Sequence, residues 1–194
     1  MTLSEQRAYY LFGGDKPWLA EAWVAADDRV RGGRSQSYLD YPTGPRETVR
    51  FHGDLDITTL GGAGFASQRS PDPQRWDLSG FQGLRLAVKD GDGKMYTLIV
   101  KDEILPRRPD GREQSTVSWE YDFTGDEAEL DIPWRELKPT YRGKPKPDAK
   151  PLDLANIKRM SIMMRSFFGE QEGPFALELR YIAAAAFEKR DRTL

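Results

Sequence analysis

The chain carries little of the usual catalytic equipment. Its 194 residues include one histidine, His52, and no cysteine. Thiol catalysis, disulfides and zinc–thiolate centres are therefore excluded, and a Ser-His-Asp machine would have to rest on His52. His52 lies between Phe51 and Gly53 in a strand-like stretch with no partner near it in sequence, and it reads as an edge or turn histidine. Asp90-Gly91-Asp92-Gly93 opens like a calcium loop, but Lys94 stands where a third oxygen ligand is required, so it reads as a turn. Gly61-Gly62-Ala63-Gly64-Phe65-Ala66 is followed by Ser67 rather than by the third glycine of a dinucleotide loop. It reads as a turn that lets Phe65 enter the core. Pro106-Arg107-Arg108-Pro109-Asp110-Gly111-Arg112 is basic enough for a phosphate, but reads as a solvated loop. No residue is assigned to a metal or a cofactor.

Charged residues on strands are more informative. Ser118-Trp119-Glu120-Tyr121-Asp122-Phe123 alternates strictly. A strand places Trp119, Tyr121 and Phe123 toward the core and Ser118, Glu120 and Asp122 on the opposite face. If neighbouring strands pair with it, Lys101 and Arg165 project beside Glu120. Opposite charges facing one another across strands contribute only about 0.2–1 kcal/mol each, so fold stability gives little reason to cluster them. Lys101, Glu120, Arg165 and Glu178 are therefore the candidate ligand-binding set, with loops at 104–114 and 139–151 to exclude water. A second group reads as structural. Arg34 and Arg69 each stand beside a tightly turning, glycine-rich segment, and Asp27 and Asp28 lie just upstream of the first. An ion-pair network of Asp28, Arg34 and Arg69 is expected, with an arginine largely buried.

The elements that must hold these residues read as strands. Leu84–Lys89 and Tyr96–Lys101 both alternate and are joined by Asp90–Gly93, the pattern of a β-hairpin. Phe175–Tyr181 alternates near the C-terminus, and an apolar run spans Ile157–Phe168. Helical signals are confined to short turns, at Lys16–Trp23 and at entries such as Asp77 and Asp153. The 18 glycines and 13 prolines punctuate the chain as in an all-β sandwich. Residues 139–151 read as a long exposed loop and 188–194 as a polar tail. The expected organisation is one β-sandwich domain over 1–194, with short helical turns.

Composition narrows the partners. Charged residues make up 31% of the chain, yet Lys+Arg 29 against Asp+Glu 31 leaves a net charge of −2. That balance argues against nucleic acid. No apolar run is long enough for membrane insertion. A protein partner or a small polar molecule remains, and oligomeric state stays open. The opening residues Met1-Thr2-Leu3-Ser4-Glu5-Gln6-Arg7 have no apolar core and no transit-peptide character, so the expected location is cytoplasmic. A mitochondrial location would require a removed presequence.

One stretch points further. Asp27-Asp28-Arg29-Val30-Arg31-Gly32-Gly33-Arg34-Ser35-Gln36-Ser37 resembles the D-x-V-M-G-G-x-S-x-S signature of the complex I intermediate-associated protein 30 (CIA30) domain, with Arg31 in place of the usual Met. The order of later segments matches as well: Phe51-His52-Gly53-Asp54-Leu55, Gly61 to Arg69, Asp77 to Leu84, Gly91 to Tyr96, Asp131-Ile132-Pro133-Trp134, Tyr141-Arg142-Gly143, Pro151-Leu152-Asp153 and Gly173 to Leu179. The resemblance implies a galactose-binding-like jelly-roll sandwich, a fold shared with carbohydrate-binding modules. It implies a non-catalytic binding or assembly role like that of complex I assembly factors, in a stand-alone member. The alternative is a carbohydrate- or metabolite-binding sandwich, including a metal-independent cyclase or isomerase. The family transfers no catalytic residue.

Overall fold

The structure is a computed structural model and describes residues 8–41 and 47–187. The segments 1–7 and 188–194, on which the targeting and tail readings rest, lie outside the described residues. The strands in chain order are β1 (Ala8–Gly13), β2 (Val24–Ala25), β3 (Gln36–Asp40), β4 (Val49–Leu55), β5 (Phe65–Arg69), β6 (Gly83–Gly91), β7 (Met95–Lys101), β8 (Ser118–Thr124), β9 (Ala128–Pro133), β10 (Lys138–Tyr141), β11 (Lys144–Pro145), β12 (Arg159–Arg165) and β13 (Gly173–Ala185). Helix among the described residues is limited to single 3₁₀ turns at Ala20–Ala22, Asp28–Arg31, Trp134–Glu136 and Leu154–Asn156. The all-β expectation holds, and so do the short helical turns near Trp18 and after Asp153.

Two antiparallel sheets face each other. One runs β3-β4-β13-β6-β9, with β1 also paired to β13; the other runs β11-β10-β8-β7-β12-β5-β2. Alternation drives this arrangement. Phe51 and Leu55, Leu84, Leu86 and Val88, and Leu177 and Leu179 point inward from the six-stranded sheet. Tyr96, Leu98, Val100, Phe123, Met160, Ile162 and Met164 meet them from the seven-stranded sheet, all within one buried cluster. Each such side chain contributes about 1.5–3 kcal/mol. A one-residue slip would turn a whole row outward, so burial fixes the register.

Four local expectations are corrected. β6 and β7 do not form a hairpin. β6 pairs with β13 and β9, and β7 with β8 and β12, so Asp90–Gly93 is a corner between sheets. An Asp-Gly signal marks a tight reversal; partner choice is set by which core face each strand must supply. The corner is tight because a Cβ on Gly91 would lie 1.9 Å from the Gly125 carbonyl oxygen, and because the Asp92 carboxylate accepts from Lys94 N–H, Tyr96 O–H and Ala176 N–H. Residues 139–151 are not simply a loop, since β10 and β11 pair there at the sheet edge. Phe65 is half-buried while Ala66 fills the core position. Trp119 packs against the core but is only half-buried, whereas its neighbour Glu120 is 8% exposed.

Candidate functional site

The outer face of the seven-stranded sheet gathers the expected charged row. Cross-strand register places Glu120 opposite Ile99, Ile99 opposite Ser161, and Ser161 opposite Arg69. Lys101 faces Arg159, and Arg165 faces Phe65. Lys101, Glu120 and Arg165 therefore share one face. The face is not a wet surface, since Thr97, Ile99, Ser67 and Ser161 on it are 0%, 5%, 2% and 6% exposed. Long side chains and the loop following β7 cover it.

Two ion-pair groups supply that cover. In the first, Arg165 Nη1 donates to Glu120 Oε2 at 2.9 Å and Nη2 to Asp122 Oδ1 at 2.8 Å. Thr140 Oγ1 donates to Glu120 and Thr97 Oγ1 to Asp122. In the second, Arg159 bonds Asp72 through Nε at 2.7 Å and Glu113 through Nη1 at 3.0 Å. Arg69 reaches Glu113 at 2.8 Å and Asp72 at 3.1 Å. Burial works against a charged Glu113, but Arg159 and Arg69 more than offset it and hold its carboxyl below the usual range. Glu113 thereby pins the 104–114 loop onto the sheet, as the water-excluding role expected of that loop requires. A pocket of about 160 Å³ remains beneath the loop, walled by Asp72, Ile104, Leu105, Arg107, Glu113, Gln114, Thr116 and Arg159. Pockets for drug-sized ligands run to about 300–1,000 Å³.

Lys101 stands apart from these pairs. Its Nζ donates to Thr116 Oγ1 at 3.0 Å and to the Thr116 carbonyl at 3.3 Å, and it forms no ion pair among the described residues. Burial, reinforced by the nearby Arg159 charge, pushes it down to about 8.

Glu178 is not part of this set. It lies on β13 in the opposite sheet, pointing outward between the inward-facing Leu177 and Leu179. There it accepts from Thr48 Oγ1 at 2.6 Å and from Lys89 Nζ at 3.1 Å. Thr48, and then Lys89, hold its carboxyl below the ordinary value. His52 is on the same sheet, 2.6 Å from Asp40 and stacked on Tyr38.

The structural trio is also corrected. Asp28 is fully buried but meets no arginine among the described residues. Its carboxylate accepts from Ser35 N–H (3.1 Å), Ser35 Oγ (2.7 Å) and Phe65 N–H (3.1 Å). Asp27 repeats the arrangement with Ser37 N–H (3.1 Å), Ser37 Oγ (2.6 Å) and Ser67 N–H (2.9 Å). Arg34 is exposed and unpaired among the described residues. Arg69 is largely buried and carboxylate-bound as expected, but to Asp72 and Glu113. The reason is geometric. β3 edges one sheet, and β5 borders only the two-residue β2 on its outer side. The free N–H groups of each edge recur every second residue, at 35 and 37 and at 65 and 67. Two adjacent aspartates span both edges and satisfy them. A Cβ on Gly33 would lie 2.2 Å from Asp28 Oδ1, so glycine is required for this approach. The signature stretch thus builds a clamp between the sheets.

Sequence reading missed Asp72, Glu113 and Arg159, and it noted Asp27 beside Asp28 without giving it a role of its own. The Ser35-x-Ser37 spacing opposite two adjacent aspartates was a usable signal for the clamp. Nothing local announces that Glu113, in a basic loop, turns back onto the sheet.

Comparison with known proteins agrees with this architecture. Two structures of the family 11 carbohydrate-binding module of Clostridium thermocellum share the fold. The module from cellulosomal cellulase Lic26A-Cel5E has a TM-score of 0.63 at 14% identity, covering 94% of this chain and 97% of the module. The module in complex with a β-1,3-1,4-mixed-linked tetrasaccharide has a TM-score of 0.64 at 15% identity, covering 94% and 96%. A curated relative, "Uncharacterized protein C9E9.15" of Schizosaccharomyces pombe (strain 972 / ATCC 24843), is 41% identical over 181 residues, covering 90% of this chain and 82% of the relative. The family model for complex I intermediate-associated protein 30 matches residues 11–179, a span that holds the Asp27–Asp28 clamp and both ion-pair groups; the chain belongs to the CIA30 family.

Proposed function

We propose that this chain is a non-catalytic binding module that engages a protein partner, the kind of role the family description names for an intermediate-associated protein. The observation that carries this reading is the state of the charged face. Arg69, Arg159 and Arg165 are each held by two carboxylates, and the strand positions between them are covered. A polar ligand lying there would have to break ion pairs that the fold already satisfies. A protein partner can instead use the exposed rim.

The second reading is a small polar molecule, a saccharide or metabolite, held near Lys101 on this face. Lys101, which has no ion pair among the described residues, favours it, and so does the fold shared with a module solved with a tetrasaccharide. A metal-independent cyclase or isomerase would be a catalytic form of the same reading, with Lys101, Glu120 and Arg165 as its polar groups.

The test is chemical cross-linking of the tagged, full chain inside the cells that make it, alongside calorimetry with a mixed-linked β-glucan tetrasaccharide. The partner reading expects a discrete protein adduct and no saturable heat. If the chain stays alone in cells and binds the sugar, with Arg165→Ala weakening that binding at least about tenfold, or roughly 1.4 kcal/mol, the second reading replaces the first.

A further inference from the structure

Lys101 is held unlike the lysines at the surface. Lys89, Lys94 and Lys146 each lie against a carboxylate. Lys101 is half-buried on the outer face of the seven-stranded sheet, and its hydrogen bonds go to neutral oxygens, the Thr116 hydroxyl and carbonyl. The charged groups that face it are Arg159 across the ladder on β12, Glu113 on the covering loop, Glu120 on β8 and Asp72 after β5. Every carboxylate among them is already engaged, Glu120 by Arg165, and Asp72 and Glu113 by Arg159 and Arg69. Burying a charge without such a partner costs stability, so folding gives no reason to keep an ammonium here. A desolvated lysine beside a second cation is instead the arrangement that frees an amine to act as a nucleophile.

A pocket adjoins this amine. Thr116, which accepts from Nζ, and Arg159, which faces Lys101, both line the space of about 160 Å³ beneath the 104–114 loop. That volume is close to the roughly 150 Å³ of an engineered cavity that admits benzene, so the occupant has about six heavy atoms or fewer. The walls select against charge. Arg159 is bonded to Asp72 and Glu113, and Arg107 approaches Glu113 at 3.4 Å, so the charged groups of the lining are paired with one another. Ile104 and Leu105 add apolar surface. Neither an anion nor a cation finds a free counter-charge in this lining, whereas a neutral carbonyl meets an amine that has no ion pair among the described residues.

We propose that Lys101 is a nucleophilic amine that captures a small uncharged aldehyde from this pocket as an imine. The neutral Nζ adds to the carbonyl carbon, and one Nζ proton passes to the carbonyl oxygen to give a carbinolamine. Loss of water then forms the C=N bond, so amine and aldehyde give imine and water with no net oxidation. The inference goes beyond the partner reading and does not depend on it. A molecule confined to the pocket leaves the ion pairs of the face intact and the exposed rim free for a protein.

The test is reductive trapping. The full chain is treated with propanal and sodium cyanoborohydride at pH 7, digested with a glutamate-specific protease and mapped by mass spectrometry. Cyanoborohydride gives up hydride to the iminium carbon and leaves an N-propyl amine. The exposed Lys138, Lys144 and Lys150 are the internal reference. With Lys101 at about 8, about 1 in 10 of its amines is neutral at pH 7, against about 1 in 3,000 for an ordinary lysine. Lys101 should therefore be alkylated at least about tenfold faster than the reference lysines, and its lead should shrink toward pH 10 as they deprotonate. Its rate should saturate as propanal rises. The bulky 3,3-diphenylpropanal should show no preference for Lys101. Leu105→Trp, which fills the pocket from a loop position, should remove the preference and leave the reference lysines unchanged. Lys101→Arg keeps the charge and should give no adduct at 101. Circular dichroism verifies that the variants fold. Equal rates at Lys101 and the reference lysines, a rate that never saturates, or a preference that survives 3,3-diphenylpropanal or Leu105→Trp overturns the proposal. The partner reading is judged separately, by the cellular adduct, and stands or falls whichever way the trapping turns out.

Discussion

Two regions of this molecule bury carboxylates, and they do so by opposite means. At the clamp, Asp27 and Asp28 are 8% and 0% exposed and are satisfied entirely by serine hydroxyls and backbone N–H groups. On the outer face of the seven-stranded sheet, Glu120 and Glu113 are satisfied chiefly by guanidinium groups. The clamp has strand edges to close, and edge N–H groups are numerous, fixed and evenly spaced. The face has no free edge, so its long side chains neutralise one another across the ladder. One arrangement joins two sheets; the other pins a loop. Only the second depends on opposite charge, so salt and pH should tell them apart.

The largest expected effect is at the clamp. Asp28→Ala strands the Ser35 and Phe65 N–H groups and leaves the Ser35 hydroxyl only its Asp56 carbonyl contact, and at about 1 kcal/mol or more for each unsatisfied group the loss is at least about 2 kcal/mol in urea unfolding. Because the lost partners are neutral, the loss should be nearly the same at 0.05 and 0.5 M salt, a range over which Debye screening changes severalfold. Ser35→Ala removes only one donor and should cost less.

Next comes the face. Removing one member of a fully buried ion pair costs about 3–5 kcal/mol. The Arg165 side chain is 20% exposed and Asp122 41%, so Arg165→Ala should lose about 1–2 kcal/mol after discounting for solvent, and the loss should shrink as salt rises. A salt-independent loss at Arg165, or a salt-dependent one at Asp28, would break the contrast.

Lys101 gives a smaller, pH-dependent effect. Its folded value of about 8 lies below the ordinary lysine value of 10.5. Below about 8 both states carry the charge, and the fold bears its burial. Between about 8 and 10.5 the folded chain binds fewer protons than the unfolded chain, so stability from this group rises with pH. Lys101→Met should therefore melt at or above the wild type at pH 7 and lose that advantage by pH 10. An advantage that grows with pH would contradict the burial of Lys101. The smallest effect is expected at Arg34→Ala, within about 0.5 kcal/mol of the wild type, because Arg34 is exposed and unpaired among the described residues.

The sequence displayed its sheet content and the charged row because both follow from period-2 alternation. Trp119, Glu120 and Phe123 could be assigned to faces before any strand partner was known. Strand partners were not legible. Glu178 looked equivalent to Glu120 because each sits in an alternating strand, and only the topology puts them in different sheets. The corner at Asp90–Gly93 misled for the same reason. The clamp was visible as a motif but assigned the wrong donors, since arginine is the commoner carboxylate partner and backbone N–H groups carry no sequence label. Phe168 was legible only as the end of an apolar run; its exposure follows from a turn whose hydrogen bonds converge on Ser166.

The central claim is that the family's signature aspartates hold the two sheets together while the surfaces beside them are left for binding. Residue-resolved hydrogen exchange of four amides tests it most directly. Ser35 and Phe65 donate to Asp28, and Ser37 and Ser67 donate to Asp27. In the wild type all four should exchange only through global unfolding. In Asp28→Asn, Ser35 and Phe65 should lose far more protection than Ser37 and Ser67. Rapid exchange of all four in the wild type, or an equal loss at all four in the variant, would contradict the clamp.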